Sequence, residues 1–188
     1  MSPSTLHPLD PRATRRVRGF TLLELLITIA VIAVLAGLAL PSFREFRIRM
    51  TVSDATMGLV HALNLARTEA VKRGRPVYVQ QVGSWSAGWM VGCDDCIGDP
   101  ADPDDEQISE FNKDTDYAVT AAGTITRVTF TPAGSLTTGT ATAFRICRPA
   151  GSANAAENRI VQVLGSGIVS SRRQGGSDPT PAPPACPT

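Results

Sequence analysis

Between positions 20 and 40 every residue is apolar or small except Thr21, Glu24 and Thr28. As a helix rising about 1.5 Å per residue, this run would reach about 30 Å, the thickness of a bilayer core. Beyond Pro41 the pattern becomes amphipathic: Val52, Ala55, Leu59, Leu63, Ala66 and Ala70 recur at helical spacing on one face. Lys72 and Arg73 suit a final turn, Gly74 can cap it, and Pro76 blocks continuation. One helix over residues 20–73 would be about 80 Å long, with Pro41 kinking or loosening it locally. The pattern then shortens to period two. "RPVYVQQV", "WSAGWMV", "DYAVT", "TITRVTF", "TAFRIC" and "NRIVQVL" are β-branched and aromatic runs separated by Gly, Asn, Asp or Pro. No second long helical pattern interrupts them. The expectation is an α+β chain: a long N-terminal helix whose amphipathic half packs on a largely antiparallel sheet.

Glu24 is the anomaly in the apolar run. A carboxylate deep in a membrane-spanning helix costs on the order of 2.5–3.5 kcal/mol, so it should be absent or have a specific task. Upstream, Arg12, Arg15, Arg16 and Arg18 follow Asp10 without another acid. Arginines beside a span stay on the cytoplasmic side, which sends the rest of the chain across the membrane. A cleaved secretory signal fits poorly, because "GLALPSF" is a weak cleavage site and the run is long. An uncleaved anchor leaves Glu24 unexplained. A cut between Gly19 and Phe20 explains it: the new amine would lie one turn before Glu24, near the positive end of the helix dipole.

Gly19-Phe20-Thr21-Leu22-Leu23-Glu24, with its basic leader, the apolar run and Pro41, resembles the processing motif of type IV pilins and pseudopilins. The resemblance implies that a prepilin peptidase removes residues 1–19 and methylates the amine of Phe20. It also implies that Glu24 pairs with a subunit's N-terminus during assembly, and that the fold is the pilin fold. "LARTEAVKRGRPV", "GWMVGCDD", "FTPAGSLT" and "NRIVQVLGSGIVSSR" resemble, in that order, the GspH/FimT-type pseudopilins and minor pilins. The organisation this implies is a leader over 1–19, a transmembrane and assembly half-helix over 20–41, and an amphipathic half-helix over 42–74. A β-rich periplasmic head over 75–173 and a Pro-rich tail over 174–188 complete it.

Composition changes the picture little. From Arg44 onward there are 14 basic and 15 acidic residues, which argues neither for nor against a polyanionic partner. The four cysteines would face the periplasm, where disulfides persist, and they allow three pairings. Cys93 and Cys96 form a C-x-x-C. A zinc site would need further ligands, and the histidines are only His7 and His61. A local structural disulfide is the better reading. Cys147 and Cys186 would then pair and pin the tail, as pilin-like folds secure a C-terminal segment. "DDCIGDPADPDDE" gathers seven acids, Asp94 to Glu106, but lacks the spacing of an EF-hand loop and reads as a solvated acidic loop.

Arg172 and Arg173 are candidates for DNA binding, and Arg145, Arg148 and Arg159 could share their face. Some members of the FimT branch bind DNA for natural transformation through a Gly-Arg-x-Arg motif near the C-terminus. Laid on this chain, that motif falls on Gly167 to Ser170, where Ile168 and Ser170 replace the arginines. A solvated strand end is the plainer reading. No nucleophile elbow, phosphate loop, paired catalytic histidine or metal spacing is present, so no enzyme, cofactor or metal is implied. The expected function is a minor pilin or pseudopilin, a structural subunit of a type IV pilus, held in the inner membrane with a periplasmic head. Its partners would be other pilins of the fibre, the prepilin peptidase and the membrane. The alternatives are a pseudopilin of a type II secretion system and a DNA-binding minor pilin for natural transformation.

Overall fold

The computed structural model describes residues 19–93, 106–112, 117–149, 157–175, 177 and 179–186, without the side chains of 38–42, 106, 107 and 112. The chain divides into two compact units, residues 1–42 and 43–188. Helix α1, Leu22–Arg73, contributes to both.

In the first unit, Thr21 starts the helix. Its carbonyl accepts from the Leu25 amide at 3.1 Å, and its Oγ1 accepts from the Glu24 amide at 3.2 Å. This satisfies one of the amides that a helix N-terminus leaves unpaired. Every large apolar side chain between positions 20 and 35 is more than half exposed. Among the described residues nothing in the unit covers them. Among the described residues no helix is long and apolar enough to cross a membrane. The span expected over 20–41 therefore runs into the side chains of 38–42, outside the described residues.

The second unit is built on the rest of α1. Val52, Ala55, Leu59, Leu63, Ala66 and Ala70 are all buried, as their spacing predicts, and join one core with the strands. Thr56 is buried on the same side and returns its hydroxyl hydrogen to the Val52 carbonyl at 2.6 Å. The helix ends at Arg73, where Gly74 takes φ +66°, the left-handed C-cap that favours glycine.

Among the described residues eight strands follow: β1 Val77–Val82, β2 Ser84–Cys93, β3 Glu106–Asn112, β4 Ala118–Ala121, β5 Arg127–Phe130, β6 Thr142–Cys147, β7 Arg159–Val163 and β8 Val169–Arg173. Where the pattern predicts one sheet, the structure has two four-stranded sheets, ordered β3-β2-β1-β5 and β4-β6-β7-β8, with every pairing antiparallel. Strand order depends on long-range pairing, which local patterning does not encode. Trp85 of β2 meets Phe144 of β6 edge-on at 4.7 Å, and Ser86 bonds both backbone groups of Val119, so β2 and β4 join the sheets. On the other flank Trp89 and Phe111 stack at 4.4 Å.

β3 has no counterpart in the predicted strands, and β8 is foreshadowed only by the reading of Arg172 and Arg173 as a solvated strand end. β8 reads Val-Ser-Ser-Arg-Arg, almost wholly exposed, and is a strand only because β7 offers it a free edge. β3 carries just Ile108 and Phe111 against the core.

Candidate functional site

The N-terminal residues of interest lie together at the start of α1. Gly19 and Phe20 precede the helix, Phe20 is 78% exposed, and Glu24 sits in the first turn with its side chain exposed. Thr21 to Glu24 has the spacing of a capping box, so Glu24 also occupies a position where a carboxylate favours the helix dipole. That local role is additional to the pairing role its apolar setting suggests. Pro41 lies inside α1, and its side chain is outside the described residues.

In the head, three of the motifs singled out from the sequence converge. Arg67 of "LARTEAV" donates from Nε to the Gly134 carbonyl of "FTPAGSLT" at 2.9 Å. Gly167 of "LGSG" has φ +81°, and a Cβ built there would lie 1.9 Å from the same carbonyl oxygen. The Leu136 amide donates to the Gly165 carbonyl at 2.9 Å, closing the two loops on each other. The motifs are thus one structural joint between the helix and both loops.

The cysteines divide as follows. Cys147 and Cys186 form a disulfide with their Cα atoms 5.6 Å apart, 39 positions apart in sequence. Cys93, at the end of β2, is disulfide-bonded, and Cys96 lies outside the described residues. Asn158 reinforces the tail joint, its amide nitrogen 3.1 Å from Gln174 Oε1 and 3.2 Å from Cys186 Sγ. Gln174 donates from its amide to the Asn158 carbonyl at 2.7 Å. The acidic stretch 94–105 is outside the described residues; Glu106 opens β3, and no cluster of metal-type ligands occurs among the described residues. His61 is exposed on α1.

The five arginines do not all share one face. Arg172 and Arg173 are neighbours on a strand, so their side chains leave opposite sides of the sheet. Arg172 pairs in register with Ile160 and donates to the Ser177 carbonyl at 2.7 Å, in the tail. Arg145 and Arg148 are buried. Arg148 contacts Glu45 of α1 and Glu157, and Glu157 also takes Arg49 Nε at 3.1 Å. Arg173 lies opposite Arg159 in the ladder, and both line a cleft of about 80 Å³ with Arg49, Val52, Arg148 and Glu157. Pairing of Arg148 with helix and loop was not legible in sequence: Glu45 is 103 positions away. The one signal was an arginine directly after a strand-ending cysteine.

A long helix exposing an apolar half, followed by an amphipathic half buried under antiparallel sheets, defines a pilin-like protein. The family model Type II transport protein GspH matches residues 55–167, and the chain belongs to that family. A second model, Prokaryotic N-terminal methylation motif, matches residues 14–40. The chain is 34% identical over 89 residues to pilin-like protein PilA1 of Thermus thermophilus, covering 47% of this chain and 56% of the relative. It is 37% identical over 60 residues to a fimbrial protein of Pseudomonas aeruginosa, covering 32% and 38%. The chain spans about half the length, or less, of these curated relatives. In fold it is similar to the crystal structure of the type IV minor pilin FimU of Pseudomonas aeruginosa, with TM-score 0.55 and 21% identity, over 75% of this chain and 98% of that one.

Proposed function

We propose that the chain is a minor pilin, a structural subunit that enters a type IV pilus and helps to start or tip the fibre. The observation that carries this is the row of exposed apolar side chains along the first four turns of α1, broken only by Glu24 and Thr28. At about 25 cal/mol per Å², such a surface is too costly to leave in water and needs lipid first and neighbouring helices afterwards. Residues 1–19 would be removed by a prepilin peptidase and the amine of Phe20 methylated, with residues 20–41 anchoring the precursor in the inner membrane. The methylation-motif match over 14–40 supports that processing. Glu24 would then pair with the N-terminal amine of a neighbouring pilin, a contact made strong by the low dielectric of packed helices. Pro41 would let the helix adjust as it leaves lipid for the fibre.

The role is structural, not catalytic. A pseudopilin of a type II secretion system is the other member of the same class, sharing the fold and the processing chemistry. The similarity in sequence to a pilin-like protein and a fimbrial protein supports the pilus reading. A DNA-binding minor pilin is the remaining alternative; in it Arg172 and Arg173, which leave opposite sides of β8, would each act with different neighbours.

The test pairs two measurements. Intact-mass analysis of assembled protein should find a chain beginning at methylated Phe20. Glu24→Ala should insert and be processed normally yet be depleted from sheared fibres, because removing the carboxylate makes the span more apolar while deleting the pair. A retained Met1, or normal incorporation of Glu24→Ala, would refute the respective part.

A further inference from the structure

The cleft beside Arg148 gathers more positive than negative charge among the described residues. Four guanidiniums, Arg49, Arg148, Arg159 and Arg173, lie there with two carboxylates of the described residues, Glu45 and Glu157, in ion pairs with Arg148 and Arg49. Arg148 is fully used: its side chain is 2% exposed and it contacts both acids. Arg49 shares Glu157. Arg159 and Arg173 are left facing each other across β7 and β8, with no acidic partner among the described residues. Like charges directly opposite in a ladder destabilise it, so this pair persists at a cost that an anion would remove. The space is sufficient: about 80 Å³ is well above the ~10–15 Å³ that one water needs on the same measure, and so has room for one small oxyanion.

The surroundings indicate what carries the anion. Around Arg49, α1 exposes Phe43, Phe46 and Met50, at 61%, 55% and 49%, interleaved with Arg44 and Arg47. Exposed aromatic and apolar side chains alternating with arginines are the signature of a segment at a lipid headgroup layer. Arginine forks bind phosphate oxygens in paired, charge-assisted hydrogen bonds. We propose that Arg159 and Arg173, with Arg49 at the rim, bind the phosphate of an anionic phospholipid headgroup, engaging the head with the membrane surface before assembly. The lipid source rests on the membrane-anchored reading above; the anion cleft itself does not.

The experiment uses the full chain in an uncharged detergent, melted alone and with phosphatidylglycerol, phosphatidylcholine or inorganic phosphate, with bound lipid counted by native mass spectrometry. Phosphatidylglycerol should raise Tm and bind one per chain, while phosphatidylcholine should do neither. Arg159→Gln with Arg173→Gln should weaken phosphatidylglycerol binding by about tenfold or more, the loss of at least one charge-assisted contact. That double variant should melt no lower than the parent in lipid-free detergent, because the repulsion is gone. Arg172→Gln, on the opposite face, should keep the full response. Equal responses to both lipids, or a phosphatidylglycerol response surviving in the double variant, would overturn the proposal. A response to inorganic phosphate alone, or to a short oligonucleotide in place of the lipid, would overturn the lipid assignment. Carbonate extraction of membranes separates the two readings: an extracted chain refutes the anchor, whereas a retained chain indifferent to phosphatidylglycerol refutes the cleft.

Discussion

Arg148, just after β6, is ion-paired with Glu45 on α1, 103 residues earlier in the chain. Together with Glu157 it joins the helix to the second sheet through a guanidinium that is almost wholly buried. A buried charge is tolerated only while its partners remain, and removing them all leaves an uncompensated ion costing about 3–5 kcal/mol. Glu45 and Glu157 are partly exposed, so either one alone is worth less. Glu45→Gln and Glu157→Gln should each cost roughly 1–2 kcal/mol, and the double variant more than their sum. Urea unfolding of the four proteins measures the coupling; simple additivity would mean that the two acids act independently.

Gly167→Ala should be among the most damaging single changes in the head. The new methyl would meet the Gly134 carbonyl oxygen at 1.9 Å and would sit at φ +81°. Strain and overpacking together cost roughly 2–4 kcal/mol. Gly175→Ala, where a Cβ meets nothing within 4 Å, should stay within about 0.5 kcal/mol of the parent. Chemical unfolding compares the two directly.

Cys147→Ser with Cys186→Ser should release the tail. The loop closed by the bond spans 39 positions, for which chain entropy gives about 3–4 kcal/mol. Limited proteolysis should then cut beyond Gln174, where the parent is protected. Asn158 and Gln174 hold the start of the tail independently, so cleavage should stop near that point.

Glu69 gives the head an acid-sensitive contact. A hydrogen bond from Arg73, chiefly, holds its carboxyl below the ordinary 4.5 despite an opposing effect of burial. The folded form therefore binds its proton less readily than the unfolded chain does. The stabilisation is complete above about pH 4.5 and is lost as pH falls through the lowered folded value. Glu69→Gln should lower Tm at pH 7, flatten its decline below pH 4.5, and converge with the parent at the acid extreme. Parallel Tm–pH curves for the two proteins would contradict this.

The sequence by itself determined what local periodicity and covalent chemistry control. The buried face of α1 follows from the 3.6-residue spacing of Val52, Ala55, Leu59, Leu63, Ala66 and Ala70, and its end follows from Gly74. Six strands follow from β-branched runs, and β6 spans the predicted "TAFRIC" residue for residue. The order Gly-Phe-Thr-Leu-Leu-Glu was legible because processing would read it as linear sequence. Only the tertiary structure decided the rest. The split into two sheets depends on Trp85 meeting Phe144 and Ser86 meeting Val119, contacts between distant segments. β8 became a strand through β7's free edge rather than through its own residues. The arginines were sorted by strand alternation and burial: Arg148 into an ion-pair joint, Arg172 to the tail, Arg173 across from Arg159. Charge and composition are properties of the chain, but which charges meet is fixed by a register that forms only when the strands pair.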